Sequence, residues 1–284
     1  MIKVKNLTFS YTKHPFLENI NFEVNQGEIF GFLGPSGAGK STLQKILTGL
    51  ITNYKGSAFL GDIEIKLHKD NFYENIGVDF EFPSLFEKLT ARQNLKFFGS
   101  LYSGKLRDGE ELLSKVGLLQ DADKKISDYS KGMKSRLNFI KALLHDPDIL
   151  FLDEPTSGLD PSSSRDMKDI ILKEKENGKT IILTTHNMLD AAELCDRVAF
   201  IVDGKIKALD TPHNLIMSKG ATKISYSYYE SNTGKEITKE CLLSRTSEDF
   251  ELQSLLQNNR IKAIHSSEPT LNDIFIEVTG RVLQ

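Results

Sequence analysis

Residues 34–41 read Gly34-Pro35-Ser36-Gly37-Ala38-Gly39-Lys40-Ser41, a glycine-bounded loop that closes on Lys-Ser. The apolar Ile29, Phe30, Phe32 and Leu33 ahead of it suit a buried strand. Thr42 to Thr48 follow, with Leu43, Ile46 and Leu47 at helical spacing. Strand, glycine loop and helix in that order are the setting of a phosphate-binding loop rather than of an ordinary Gly-rich turn. Glycines let the backbone curl around phosphate oxygens, and the N–H groups at the helix start point inward. The expectation is a nucleoside triphosphate held by Gly34 to Thr42. Lys40 would reach the β- and γ-phosphates, and the Ser41 hydroxyl would ligate Mg²⁺.

A second half-site lies far along the chain. Ile149-Leu150-Phe151-Leu152-Asp153-Glu154 is an apolar strand ending in two carboxylates. A parallel strand delivers its C-terminal end to the crevice where the phosphate loop also lies. Asp153 is then placed to hold Mg²⁺, directly or through water, and Glu154 to polarise the attacking water.

The surrounding pattern alternates. Ser162–Glu176 and Asn187–Cys195 read as helices, Thr180–Leu183 and Val198–Val202 as strands, which implies a mostly parallel sheet covered by helices. Nearer the N-terminus, Ile2, Val4, Leu7 and Phe9 with Phe22 and Val24 suggest paired antiparallel strands. Gly61-Asp62 turns a hairpin between Ala58, Leu60 and Ile63, Ile65. Thr90 and Gln93 form a capping box that opens a helix with Leu95, Phe98, Leu101 and Tyr102 on one face. Met133 to His145 reads as another helix, with Leu137, Ile140 and Leu144 together.

Character changes near Lys219-Gly220. Beyond it Ile224, Tyr226 and Tyr228 alternate before a polar Ser231-Asn232-Thr233-Gly234 turn. A helix around Phe250 to Leu256, a strand around Ile261 to Ile264 and a helix capped by Thr270 complete the chain, the last with Leu271, Ile274, Phe275 and Val278 on one face. The expected organisation is a main α/β domain over residues 1–218, with a helical subdomain at about 84–145, and a small α+β accessory domain over 219–284.

Composition bounds the partners. The 284 residues are 39% hydrophobic with a formal charge of −3, and mean hydropathy is −0.29. The apolar runs Ile149–Leu152 and Val198–Val202 are far too short to span a bilayer. The opening Met1-Ile2-Lys3-Val4-Lys5 alternates like a strand and lacks the apolar stretch of a signal peptide. A cytoplasmic protein is expected, any membrane role coming through a partner. A pI near 6.1 gives no basic footprint for nucleic acid. Cys195 and Cys241 form no metal-type spacing, and a reduced structural role is expected of both.

Taken with four further segments, the chain resembles the ATP-binding cassette (ABC) family over residues 1 to about 215. Tyr129-Ser130-Lys131-Gly132-Met133 matches that family's signature motif, with Lys131 where a glycine is usual. Ser157-Gly158-Leu159-Asp160 matches its D-loop, and His186 in Thr184-Thr185-His186 its switch histidine. Tyr11 falls where the family stacks an aromatic ring on adenine. Each segment also has a plainer reading. Ser130 and Gly132 open a helix whose N–H groups suit a phosphate. Lys131, Lys134 and Arg136 add positive charge nearby, with a solvated helix face as the alternative for Lys134. His186 is otherwise a polar cap, and Tyr11 a strand-face aromatic.

One departure concerns the lid loop, Val78-Asp79-Phe80-Glu81-Phe82-Pro83. Glu81 stands where the family usually carries Gln. Either Glu81 ligates the metal more strongly, or it swings away and leaves that ligand to water.

The resemblance implies a P-loop ABC cassette that hydrolyses ATP with Mg²⁺. Glu154 and His186 are its catalytic pair, Ser41, Asp153 and Glu81 its metal ligands, and Asp160 its D-loop acid. Ser130, Lys131, Gly132 and Met133 would act on ATP held by a second cassette. Since the chain has one copy of each motif, it implies a head-to-tail dimer, as a homodimer or with a second cassette. Its commonest use is to power an integral membrane permease, which places the chain peripherally on the inner face of the cell membrane. Phe82, Leu85, Phe86 and Leu89 offer an apolar groove to such a partner, some of them packing internally instead. The tail Glu268-Pro269-Thr270-Leu271-Asn272-Asp273-Ile274-Phe275 resembles that of exporters in the drug and antibiotic resistance branch. The alternatives are a soluble ABC ATPase of translation or repair, and a regulatory cassette that does not hydrolyse.

Overall fold

The computed structural model describes residues 1–218, 223–230, 233–267 and 269–281. Lys219-Gly220, Ser231-Asn232 and Glu268, all used in the sequence reading, lie outside the described residues. The chain divides into two compact units, the first Met1–Asp210 and the second beginning at Thr211. The expected boundary at residue 218 falls later than this junction.

The first unit opens with β1 (Ile2–Phe9), β2 (Leu17–Val24) and β3 (Ile29–Leu33), followed by α1 (Lys40–Leu47), β4 (Lys55–Leu60) and β5 (Ile63–Glu64). Strands β2-β1-β4-β5 form an antiparallel sheet in that order. The hairpin stops at Glu64, and Ile65 begins a 3₁₀ turn instead of prolonging the strand. The chain continues through β6 (Ile76–Asp79), α2 (Ala91–Gly99), α3 (Gly109–Lys115), α4 (Lys131–Leu143) and β7 (Ile149–Asp153). It ends with α5 (Pro161–Glu176), β8 (Thr180–Thr185), α6 (Met188–Leu194), β9 (Arg197–Val202) and β10 (Lys205–Asp210). The larger sheet runs β10-β9-β3-β8-β7-β6. Its strands are parallel except β10, which pairs antiparallel to β9.

Strands β3, β7 and β8 are buried at every residue, as expected where both faces are covered. The core fills the space between the two sheets, where Phe22, Phe30 and Phe32 meet with ring centroids 5.1–5.5 Å apart. The capping box at α2 forms as expected: Gln93 N–H donates to Thr90 Oγ1 at 3.2 Å and Thr90 N–H to Gln93 Oε1 at 2.9 Å. Leu101 is the exception on that helix face, 64% exposed just past the helix end.

The second unit holds α7 (Pro212–Met217), β11 (Lys223–Tyr229), β12 (Glu236–Leu242), α8 (Phe250–Gln257), β13 (Ile261–Ser267) and α9 (Leu271–Thr279). Its sheet runs β12-β11-β13, antiparallel throughout. Tyr226 and Tyr228 pack on Leu252 and Leu255 of α8. Helix α7 packs with α9, which is why the unit begins at Thr211.

Candidate functional site

Strand β3 lies between β8 and β9, so the loop that follows it emerges at the C-terminal edge of the sheet. Gly39, at φ 110, turns the loop into α1 in a conformation that L side chains rarely adopt. A Cβ on Gly34 would lie 2.1 Å from the Ile201 carbonyl oxygen, so the loop can run against β9 only with glycine there.

Strand β7 is next to β8, with Asp153 in register with Thr184. This adjacency assembles the rest. A cleft of about 290 Å³ is lined by residues 36–42 with Phe16, Glu81, Asp153, Glu154 and His186. Gly34 and Pro35 sit behind it: Lys40 Nζ donates to their carbonyls at 2.6 and 3.2 Å. Burial pulls the Lys40 ammonium below its ordinary pKa, while Glu154, Asp153 and Glu81 oppose that shift by their charge. A phosphate group has stronger claims on this ammonium than two neutral carbonyls.

Both oxygens of Glu154 are held. Its Oε1 lies 2.8 Å from His186 Nδ1, and its Oε2 accepts from Thr185 Oγ1 at 3.2 Å. Asp153 Oδ1 accepts from Thr184 Oγ1, with both residues buried. Glu154 also adopts φ +54, and its N–H donates to the Thr184 carbonyl at 2.9 Å.

As a test of fit for Mg²⁺, the Ser41 hydroxyl, the Asp153 carboxylate and Glu81 line one cleft as hard oxygen donors. Among the described residues, no group of three or more His, Cys, Asp or Glu is arranged to hold a metal. Mg²⁺ commonly takes one or two protein carboxylates and completes its octahedron with phosphate oxygens and water. The donor set fits that mode.

Tyr11 stands at the rim, 58% exposed, its hydroxyl 3.0 Å from Thr42 Oγ1 and its ring 5.4 Å edge-on from Phe16. Phe16, which the sequence reading passed over, is the aromatic that lines the cleft. Its signal was the position just before β2, beside Leu17, whose Cδ2 lies 2.6 Å from where a Gly39 Cβ would be. Thr184 and Thr185 were also passed over as site residues, although they end the strand that faces Asp153.

The signature residues are elsewhere. Ser130 caps α4, its Oγ accepting from Met133 N–H at 3.2 Å, and none of Ser130, Lys131, Gly132 and Met133 lines the phosphate cleft. Lys131 lies along the D-loop instead, with Nζ 3.2 Å from where a Gly158 Cβ would be. Asp160 caps α5, accepting from the N–H groups of Ser162 and Ser163 at 3.1 and 3.0 Å.

The family model described as ABC transporter matches residues 17–157. The fluoroquinolones export ATP-binding protein of Mycobacterium tuberculosis (strain ATCC 25618 / H37Rv) is 48% identical over 285 residues, spanning 100% of this chain and 94% of that protein. The chain belongs to the ABC transporter family. The linearmycin resistance ATP-binding protein of Bacillus subtilis (strain 168) is 31% identical over 312 residues, covering 100% of both chains. A solved ATP-binding cassette, dimeric and in a post-hydrolysis state with ADP and Pi, matches with a TM-score of 0.67 at 26% identity. That likeness covers 74% of this chain and 98% of the solved one. As a member of this ATPase family, the cassette binds ATP and hydrolyses it. No described helix is long and apolar enough to cross a membrane.

Proposed function

We propose that the cassette drives export through separately encoded membrane subunits, closing on ATP as a dimer and reopening after hydrolysis. Lys40 would take the β- and γ-phosphates, Ser41 and Asp153 would hold Mg²⁺, Glu154 acts as the general base, and His186 orients it. The observation that carries this reading is the grip on Glu154. Its carboxylate is fixed at 2.8 Å by His186 on a cleft shared with the phosphate loop. A general base needs that placement more than it needs any particular pKa. Bound Mg²⁺ would neutralise charge building on the transferred phosphate.

Dimer closure is supported by what the cleft lacks. Ser130 and its neighbours lie outside it, which fits a signature offered by a second chain, and a solved cassette of 26% identity is dimeric. The γ-phosphate gives the closed state contacts that ADP cannot, which is the differential affinity a switch requires. Export, rather than import, is supported by the two relatives named for fluoroquinolone export and linearmycin resistance. A membrane partner is supported by Phe82 and Phe86, 79% and 45% exposed directly after the lid glutamate.

The test is Glu154→Gln, which keeps the side chain's size and removes the base. ATP binding should persist while turnover falls by about 10²–10⁴. An ATP-bound dimer should accumulate on size-exclusion chromatography. Normal turnover would remove Glu154 from its role.

A further inference from the structure

Asp190 is a buried carboxylate to which the hydrolytic reading gives no task. It is the third residue of α6, its side chain is 9% exposed, and it is not among the described residues that line the phosphate cleft. Three segments nevertheless converge on it. Thr156 Oγ1 donates to Asp190 Oδ2 at 2.7 Å, and Asn187 Nδ2 donates to the same oxygen at 3.1 Å. Lys168 of α5 reaches the other oxygen, with Nζ 3.4 Å from Oδ1. A buried carboxylate is costly unless hydrogen bonds and a counter-charge compensate it, and here both are present.

Where those donors stand in the chain matters more than their number. Thr156 follows Glu154 by two residues, and Asn187 follows His186 directly. Oδ2 is therefore one acceptor shared by the segment that carries the proposed base and the segment that carries its histidine. The first segment needs such a tie. Glu154 sits at φ +54, and a strained turn of this kind holds only where its surroundings fix it. Its near end is fixed by the Glu154 N–H on the Thr184 carbonyl at 2.9 Å, and its far end by Thr156 on Asp190. In the second segment, the Asn187 N–H donates to Thr185 Oγ1 at 3.0 Å, and that hydroxyl donates to Glu154 Oε2 at 3.2 Å. The bonds close a ring from Glu154 through Thr185, Asn187, Asp190 and Thr156, and back along the chain to Glu154. His186, whose Nδ1 lies 2.8 Å from Glu154 Oε1, is the residue that the Thr185–Asn187 bond spans.

We propose that Asp190 is a positioning residue for hydrolysis, a splint that holds the Glu154 turn and the His186 loop at their working separation. The proposal rests on the ATPase reading above, because Asp190 acts through the base and its histidine. Nucleotide capture belongs to the phosphate loop and stays outside the ring, so loss of the splint should slow the chemical step alone.

Substitutions in the full chain test this. Thr156→Val removes one donor and little volume. It should lower kcat about tenfold while KM for ATP stays within about twofold, since a misplaced catalytic group costs rate rather than uniform binding. Thr156→Ser keeps the hydroxyl and should restore the native kcat. Asp190→Ala should lower kcat at least as far, and adding Thr156→Val to it should cost nothing more, because the two act as one unit. If Asp190→Ala does not fold, the threonine variants carry the test. Lys168→Met breaks only the contact to Oδ1, so it should lower the melting temperature and keep kcat within about twofold. In a Glu154→Gln background, Thr156→Val should change the residual rate by less than about twofold, because no base is left to misplace. Native kcat in Thr156→Val would overturn the proposal, and so would a loss that lies in KM. Equal kcat losses in Lys168→Met and Thr156→Val would reduce Asp190 to an anchor of α6 on α5. An undiminished loss in the Glu154→Gln background would show that Thr156 acts elsewhere. Glu154→Gln by itself keeps the two readings apart. Native turnover there removes the ATPase assignment of Glu154, whereas a silent Glu154→Gln beside a native Thr156→Val removes only the splint.

Discussion

Thr184→Val replaces a hydroxyl by a methyl group, removing one hydrogen bond from the site and almost nothing from its shape. Thr184, the last but one residue of β8, is fully buried, and its hydroxyl donates to Asp153 Oδ1 on the neighbouring strand, where Asp153 is 7% exposed. Valine fills the same space, so no cavity opens. What is lost is a hydrogen bond to a buried carboxylate, and bonds to charged groups contribute about 1.5–3 kcal/mol. At about 2–4 °C per kcal/mol for a chain of this size class, the melting temperature should fall by roughly 3–12 °C. Asp153 would also be free to rotate, so half-maximal ATPase activity should need more Mg²⁺. Scanning fluorimetry and a Mg²⁺ titration of turnover read the two effects separately. Thr184→Ser, which keeps the hydroxyl, should retain the native Mg²⁺ dependence. A valine variant with native melting and native Mg²⁺ dependence would show that Thr184 does not position Asp153.

Lys40→Ala should weaken ATP binding in calorimetric titration. A mixture of Lys40→Ala and Ser130→Arg chains should recover part of the activity that each homodimer lacks, because one composite site is then intact; no recovery despite shown subunit exchange would refute the shared site. Burial lowers the pKa of His145, whose Nε2 lies 2.9 Å from the Ile76 carbonyl and whose ring stacks on Tyr102 at 3.8 Å. The unfolded chain then binds the proton more readily, so stability should fall as pH drops below about 6.5. His145→Phe should lose less stability over that range in denaturant melts at pH 7 and pH 5. Phe86 packs on Phe97 and Phe98 at 4.7 and 5.7 Å while staying 45% exposed, so Phe86→Asp should cost about 1–2 kcal/mol of stability. It should leave basal ATPase intact and break co-purification with the membrane subunits; retained co-purification would remove Phe86 from the docking surface.

Legibility in the sequence followed the range of the interaction. The phosphate loop was readable because its requirements are local: backbone freedom at Gly39, a close approach at Gly34, and a helix start at Lys40. Helix α4 was readable because Leu137, Ile140 and Leu144 repeat at helical spacing and are buried as that spacing requires. Strand β6 escaped because four residues, Ile-Gly-Val-Asp, carry no usable period. Strand β12 escaped for the opposite reason. It sits at a sheet edge, and Glu236, Thr238, Lys239 and Glu240 are exposed, so polarity hides the alternation. Helix α7 is a single short element whose sorting into the second unit depends on α9, far along the chain. In the site, Glu154 and His186 were each readable through the family resemblance. Their bond was not, because it depends on the β7–β8 register, and that register also brings Thr184 to Asp153.

Glu154 carries a mark that separates function from folding. Among the described residues with positive φ other than glycine, five are Asn or Asp, which tolerate that conformation, and the sixth is Glu154 at φ +54. A residue such as glutamate in this region costs on the order of 1–3 kcal/mol and persists only where its surroundings over-determine it. Here they do: the backbone N–H is fixed by the Thr184 carbonyl, and the two carboxylate oxygens by His186 and Thr185. Stability alone would favour glycine at such a turn, as at Gly39 in the facing loop. The strained backbone instead turns the chain sharply as it leaves β7, so that consecutive residues serve different purposes. Asp153 stays buried against Thr184, while Glu154 turns its carboxylate to His186 and Thr185 on the phosphate cleft. The strained turn is what sets the proposed general base on the phosphate cleft, one residue beyond the buried Asp153.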